Sequence, residues 1–421
     1  MLLQFNFKNF RSFRDENTLD MTAARIKEYN DHVVNTANER VLPTACLFGA
    51  NASGKSNVIE AFRYMATYVL NSLNYGGQDV SSKKTGNEFA KPAPFMFDPV
   101  SKDMPTSFEV YFMDREENGA RTYNYGFTVN RSGICEEWLN YRTKTSRGAS
   151  KSIFYRNGDE LDLSGIPAKS SENIRVALEK ETLIVSLGAK LKIEKLKHIR
   201  DWFTSVIFAD FGTPIENFFL SQLIPNGFAD DKAVQKKVVD YLSAFDTSII
   251  GFKTETIKNE EEEYIKIDAL HKMKGQKEPV PIPMQNESAG TLKMFSLYPM
   301  MQEVLEKGGV LCIDELNARL HPLLVRAFVI TFLDPRINKA HAQLLFTSHD
   351  SWQMSSNMLR RDEIWFTEKD KDGVSTLYSL ADFVDDDGVK IRKDENYEKN
   401  YLIGKYGAIP TLRYFDMFGE E

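Results

Sequence analysis

Gly49-Ala50-Asn51-Ala52-Ser53-Gly54-Lys55-Ser56 is the stretch on which the fold of this chain turns. It satisfies G-x-x-x-x-G-K-[ST], and it stands in the context that pattern requires. An apolar run over 42–48 precedes it, and residues 56–70 carry helix-spaced apolar positions at Val58, Ile59, Phe62 and Met65. Strand, glycine loop and helix together make a phosphate cradle. Gly49 and Gly54 let the backbone curl so that its N–H groups face an anion, and the helix adds the positive end of its dipole. Lys55 then reaches the outer phosphates of a nucleoside triphosphate, and Ser56 binds magnesium. A flexible surface turn would explain the glycines, but not the lysine, the hydroxyl and both flanking elements at once.

Three further stretches extend the reading. Val310-Leu311-Cys312-Ile313-Asp314-Glu315 is an apolar strand ending in two adjacent carboxylates. Asp314 suits the magnesium shell, and Glu315 the task of orienting or deprotonating an attacking water. Glu287-Ser288-Ala289-Gly290-Thr291 opens a helical run over 292–305. Free N–H groups and the Ser288 hydroxyl at such a start form an anion site, although Ser288 as a plain N-cap accounts for the same residues. Leu344-Leu345-Phe346-Thr347-Ser348-His349-Asp350 is another apolar strand, and a histidine at its end can donate to a γ phosphate or to the attacking water. Alone, each of these is a common strand end or cap. Their order along the chain behind the glycine loop is what raises them.

Together these residues resemble the ABC-type ATPases of the branch that includes SMC, RecF and overcoming-lysogenisation-defect proteins. Residues 49–56 resemble Walker A in that branch's G-x-N-x-S-G-K-S form, Ser288 and Gly290 the signature motif, Asp314 and Glu315 Walker B, residues 317–321 the D-loop, and His349 the switch histidine. The resemblance implies an α/β fold, an ABC-type P-loop ATPase head with a mixed sheet and an antiparallel lobe. It implies ATP and Mg²⁺ as cofactors, bound by Gly49, Asn51, Ser53, Gly54, Lys55, Ser56, Asn57, Ser288 and Gly290, with Ser56 and Asp314 on the metal and Glu315, His349 and Lys55 as the catalytic set. It further implies a head-to-tail dimer whose composite sites take Lys55 from one copy and Ser288 from the other.

More narrowly, Asn9-Phe10-Arg11-Ser12-Phe13, the Glu-Ser-x-Gly-Thr signature and the segments 361–366 and 401–410 are similar to small ATPases of phage-defence operons, the RloA, AbiL and PARIS-type ATPases. That likeness implies a sensor or scaffold role in abortive infection beside a separately encoded Toprim-type nuclease, with a phage protein as trigger. Some features depart from the pattern. Ala289 and Thr291 stand where many transporters have Gly and Gln, and no Q-loop glutamine is identifiable near 107–113. Only 72 residues follow His349, too few for a fused Toprim domain.

The rest of the chain divides around these motifs. Residues 1–170 read as the N-terminal half of the head. They open with a strand suited to a sheet edge (Leu3, Phe5, Phe7) and carry an antiparallel meander over 107–113, 122–130 and 134–142 that ends near 162. Residues 171–248 lack strand alternation and read as a helical insertion, with Leu187, Leu191, Leu196, Ile199 and Phe203 at helical spacing. Residues 249–421 form the C-terminal half, beginning with a hairpin over 250–257 and 264–270.

Bulk composition narrows the function classes. The net charge of −7, from 53 basic and 60 acidic residues, does not advertise nucleic acid, so any DNA contact must be local. The one candidate is the basic group Lys190, Lys192, Lys195, Lys197, His198 and Arg200, whose other reading is a solvated helix face. It keeps open the alternative of a DNA-binding repair or chromosome-maintenance ATPase. Asp382, Asp385, Asp386 and Asp387 read as a solvated acidic loop rather than a nuclease centre. No apolar run reaches membrane-helix length, and three scattered cysteines fit a reducing cytoplasm.

Overall fold

The computed structural model describes residues 1–37, 39–75, 91–113, 121–143, 149–258, 263–354, 357–385, 388 and 390–410. In chain order, β1 (Leu2–Lys8), β2 (Asn17–Asp20), β3 (Val34–Asn35), β4 (Arg40–Val41) and β5 (Thr44–Phe48) lead into helix α1 (Lys55–Asn71). The meander follows as β6 (Thr106–Met113), β7 (Arg121–Asn130), β8 (Gly133–Thr143), β9 (Lys151–Asn157) and β10 (Glu160–Asp162). Then come α2 (Ala168–Ala177), α3 (Ile184–Lys190), α4 (Glu194–Thr204), β11 (Val206–Asp210), α5 (Pro214–Leu220) and α6 (Lys232–Leu242). The chain continues through β12 (Ile249–Lys258), β13 (Glu263–His271), β14 (Val280–Pro283), α7 (Ala289–Lys307), β15 (Val310–Asp314) and α8 (Pro322–Leu333). It ends with β16 (Gln343–Thr347), β17 (Ile364–Lys369), β18 (Ser375–Ser379) and α9 (Tyr397–Leu402).

Two sheets organise the molecule, and residue pattern explains their difference. Strands β5, β15 and β16 are buried at every position, as parallel strands covered on both faces must be. They form the centre of the sheet β11-β15-β16-β5-β17-β18, parallel except for its last strand. By contrast β6 alternates buried and half-buried residues, and it belongs to the antiparallel sheet β10-β9-β8-β7-β6-β1-β2. Helix α1 lies between the two. Its Val58, Ile59, Phe62 and Met65 share one core with Phe5, Phe108 and Phe127 of the antiparallel sheet and with Leu47, Cys312 and Leu345 of the parallel one. The opposite face of the parallel sheet, Cys46, Leu311, Ile313 and Phe346, packs on α7 and α8 through Phe295, Leu297 and Phe328. Each fully buried phenylalanine here stabilises the fold by roughly 1.5–3 kcal/mol relative to exposure.

Two expectations need correction. Strand β1 is interior, because β6 and β2 pair with its two edges, and its faces are covered too: Leu3 joins Met1, Val41 and Met113 in a small cluster of its own. The stretch 171–248 is not wholly helical, since β11 within it pairs in parallel with β15 and closes the central sheet. Among the helix-spaced apolar positions of that stretch, Leu196, Ile199 and Phe203 are buried and Leu191 is 37% exposed. The meander, the 249–271 hairpin and the helix after the glycine loop stand as read. Residues 118–119 between two meander strands, residues 259–262 between the hairpin strands, and Asp386 and Asp387 lie outside the described residues.

Candidate functional site

The C-terminal ends of β5, β15, β16 and β11 meet at one edge of the parallel sheet, and every chemical group expected there from the glycine loop, the Asp-Glu strand and the histidine strand is carried by that edge. Gly49 leaves β5 with a φ of 152°, and a Cβ on it would lie 2.4 Å from the Thr367 carbonyl. Only glycine lets the loop pass so close to β17. Ala52 and Gly54 also take positive φ, and Gly54 starts α1. The Ser53 hydroxyl meets Thr367 at 2.6 Å, and its carbonyl accepts from Ser375 at 2.7 Å, so the loop is pinned to β17 and to the start of β18. Asn51 is exposed at the loop's outer side.

Lys55 is buried, and its ammonium donates to the carbonyls of Gly49 at 2.9 Å and Ala50 at 3.1 Å. Burial lowers its pKa, against the pull of the Glu315 and Asp314 carboxylates. Ser56 donates to Asp314, as does the Thr347 hydroxyl of β16 at 2.5 Å. Burial raises the Asp314 carboxyl above its ordinary range, and those two hydrogen bonds oppose the shift. Thr347 Oγ1 in turn accepts from the Glu315 backbone N–H at 2.8 Å, so one hydroxyl ties both carboxylate residues to β16.

Glu315 takes a φ of 57°, a left-handed conformation unusual for a side chain of its size. His349 Nε2 lies 3.1 Å from its Oε1, and this contact is the main reason its pKa falls below the ordinary carboxylate value. The histidine backbone is fixed from the D-loop stretch, where Asn317 Oδ1 accepts from the His349 N–H at 3.1 Å.

Ser288 caps α7 by accepting from the Thr291 N–H at 3.1 Å, which is the plain N-cap geometry, and it remains exposed. Gly290 faces the turn after β15, where a Cβ on it would lie 3.3 Å from the Arg319 carbonyl oxygen. No hydrogen bond or ion pair among the described residues joins Ser288 or Gly290 to the chain's own glycine loop. Asn57 is also set apart, because its amide is engaged by Ser12 at 2.8 Å and Arg11 at 3.3 Å.

Sequence reading missed three participants. Asp210 ends β11 in register with Asp314, and its carboxylate closes the following turn by accepting from Gly212 at 2.7 Å. The signal was available: Val206-Ile207-Phe208-Ala209-Asp210 repeats the apolar-run-then-Asp pattern of β15. Thr347 was read only as part of a strand. Lys293, on α7, is buried against the turn after Glu315, and burial drives its ammonium down to about 7. Of the basic group at 190–200, Lys197 pairs with Asp201 at 2.9 Å and Arg200 donates to the Leu70 carbonyl. Among the described residues no cluster of three or more His, Cys, Asp or Glu could hold a metal, and no helix is long and apolar enough to cross a membrane.

No curated protein matches the chain. A chain from the crystal structure of the SmcHead bound to the C-winged helix domain of ScpA is similar to it, at 12% sequence identity and a TM-score of 0.39, over 90% of this chain and 97% of that one. The family described as "AAA domain, putative AbiEii toxin, Type IV TA system" matches residues 45–351, a span that runs from β5 through the glycine loop, both carboxylates and His349. With well over half of its length matched and the P-loop architecture in place, this chain belongs to that AAA ATPase family.

Proposed function

We propose that this chain binds ATP with magnesium and hydrolyses it at sites completed by a second, head-to-tail copy. The observation that carries the reading is the convergence of Lys55, Ser56, Asp314, Glu315 and His349 on one edge of the parallel sheet. Two of the three Lys55 N–H groups are used by loop carbonyls, and the third serves the phosphates. Ser56 and Asp314 offer the hard oxygen donors that magnesium takes, and the ion, when bound, supplies electrophilic stabilisation of phosphoryl oxygens. Glu315, kept ionised by its contact with His349, accepts a proton from the attacking water. The water oxygen bonds to the γ phosphorus while the bond to the bridging oxygen breaks, so ADP departs with that electron pair.

Ser288 and Gly290 serve the other copy. An exposed helix start that does not reach its own loop is available to close over a partner's γ phosphate, and loss of that phosphate then loosens the pair. The family's association with abortive-infection and toxin–antitoxin proteins supports a cytoplasmic sensor or scaffold in anti-phage defence, working with a separate Toprim-type nuclease and triggered by a phage protein. Phosphate release from purified protein, compared with Lys55→Ala, tests the catalytic reading: equal rates would leave only a binding scaffold. Light scattering of Glu315→Gln tests the dimer, which requires a larger mass with ATP than without it.

A further inference from the structure

Lys293 places a buried charge entirely on backbone. Its ammonium donates to the carbonyls of Glu315 at 2.9 Å, Leu316 at 2.8 Å and Ala318 at 3.0 Å, so all three N–H groups converge on the single turn that follows β15. It also stands 4.0 Å from the centre of the Phe211 ring, and no ion pair with it is found among the described residues. The turn it grips is strained: Glu315 and Arg319, at its two ends, both have left-handed backbone, with φ of 57° and 62°. A conformation of that kind persists only where its surroundings over-determine it. Thr347 holds the Glu315 N–H, and Lys293 holds the carbonyls.

The position of Lys293 on its own helix gives the grip a second consequence. It lies five residues after the cap Ser288, on the first turns of α7. A Cβ on Gly290 would lie 3.3 Å from the Arg319 carbonyl oxygen, at the far end of the same turn. Thus the helix start that faces outward and the backbone that aims Glu315 are one mechanical unit.

We infer that Lys293 is the positioning residue of this site: its ammonium gathers the carbonyls of Glu315, Leu316 and Ala318, holds Glu315 in its left-handed conformation, and makes the carboxylate follow the helix start that carries Ser288. The inference rests on the reading of Glu315 as the group that meets the attacking water. Lys293 touches neither nucleotide nor metal, so its loss should alter turnover and leave binding alone. With mant-ATP and Mg²⁺ as the probe, Lys293→Met should bind within about two-fold of wild type while kcat falls roughly ten- to hundred-fold, the scale of a slightly misplaced reacting group. Lys293→Arg, which keeps the charge and the donors, should regain most of that loss.

Hydrogen–deuterium exchange supplies a readout that needs no turnover. The peptide spanning 315–319 should exchange faster in Lys293→Met, while the segments of β7 and of residues 49–56 stay protected as in wild type. A fall in affinity matching the fall in kcat, or unchanged protection at 315–319, would overturn the inference. If wild type itself released no more phosphate than Lys55→Ala, the hydrolytic reading would fail on its own, and the exchange result would still decide whether Lys293 holds the turn.

Discussion

Glu137 of β8 and Glu315 after β15 are both carboxylates held by polar partners, and the molecule holds them in opposite ways. The Glu137 carboxylate accepts from the N–H groups of Ile184 and Val185 at the start of α3, at 2.7 and 3.2 Å, and from the Tyr125 hydroxyl at 3.0 Å. Every one of these groups is fully buried, and desolvation pushes the carboxyl up to about 7. It acts as a cross-link between the antiparallel sheet and a helix. Glu315 remains partly exposed, is held by a histidine, and has its pKa lowered instead. The backbone repeats the contrast. Of the nine non-glycine residues with positive φ among the described residues, none lies in β6 to β10, whereas Ala52, Glu315 and Arg319 surround the candidate site. Such residues cost on the order of 1–3 kcal/mol each, and they are found where strain serves a task. One sheet is cross-linked through its core, and the other carries the candidate site on its edge.

The contrast can be broken by mutation, and the largest effect belongs to the parallel sheet. Glu315→Gln keeps size and shape but cannot accept the proton from water, so phosphate release should fall by roughly 10²–10⁴. The unfolding midpoint in urea should hardly move. A large loss of stability would make Glu315 a structural residue like its counterpart. Glu137→Ala is the mirror experiment. It leaves two N–H groups and a hydroxyl without partners in a dry core, which costs roughly 3–9 kcal/mol at about 1–3 kcal/mol per orphaned group. Denaturant unfolding should show that loss, while kcat per folded molecule stays within about two-fold, as for a change remote from the chemistry.

How much of this contrast was legible beforehand follows from what a sequence pattern encodes. The glycine loop, the Asp314-Glu315 strand end and His349 were readable because each couples an apolar run to a polar residue at its end. The meander was readable because one of its faces meets water, which produces alternation. Strand β11 couples an apolar run to Asp210 in the same way, but its five residues, set between helices, were absorbed into the helical spacing around them. Lys293 escaped for a different reason. A lysine on a helix reads as solvated, and nothing local reveals that three carbonyls from a turn 22 to 25 residues away will converge on it. Asn57, which the resemblance places among the nucleotide contacts, has its amide at the N-terminal turn with Arg11 and Ser12, a pairing that no local pattern announces.

Thr347→Val sharpens the comparison at smaller scale, since it removes only the hydroxyl shared by the two carboxylate residues. The Glu315 N–H then loses its acceptor, at a cost of about 1–3 kcal/mol. Because that bond orients Glu315, stability and turnover should fall together, unlike either glutamate variant. If only one of the two quantities responds, the link between Thr347 and the placement of Glu315 is wrong.

The smallest effect concerns protonation, and it separates what His349 does to charge from what it does to geometry. Glu315 must be ionised to accept a proton, and its pKa lies below the ordinary value of 4.5 chiefly because of the hydrogen bond to His349 Nε2. Removing that donor in His349→Ala lets the carboxyl pKa rise, so the acid limb of kcat should move to higher pH. In His349→Gln an amide N–H can replace the ring donor, and the limb should stay nearer its wild-type position. At pH 8 the carboxylate is ionised in all three proteins, so a rate difference there does not come from the charge of Glu315. Stability must follow the same sign. A carboxylate with a depressed folded pKa contributes stability above its unfolded pKa and loses it as pH falls through the folded value, so the gap between wild type and His349→Ala should narrow on acidification. An acid limb that is identical in wild type and His349→Ala would show that the histidine does not set the charge of Glu315.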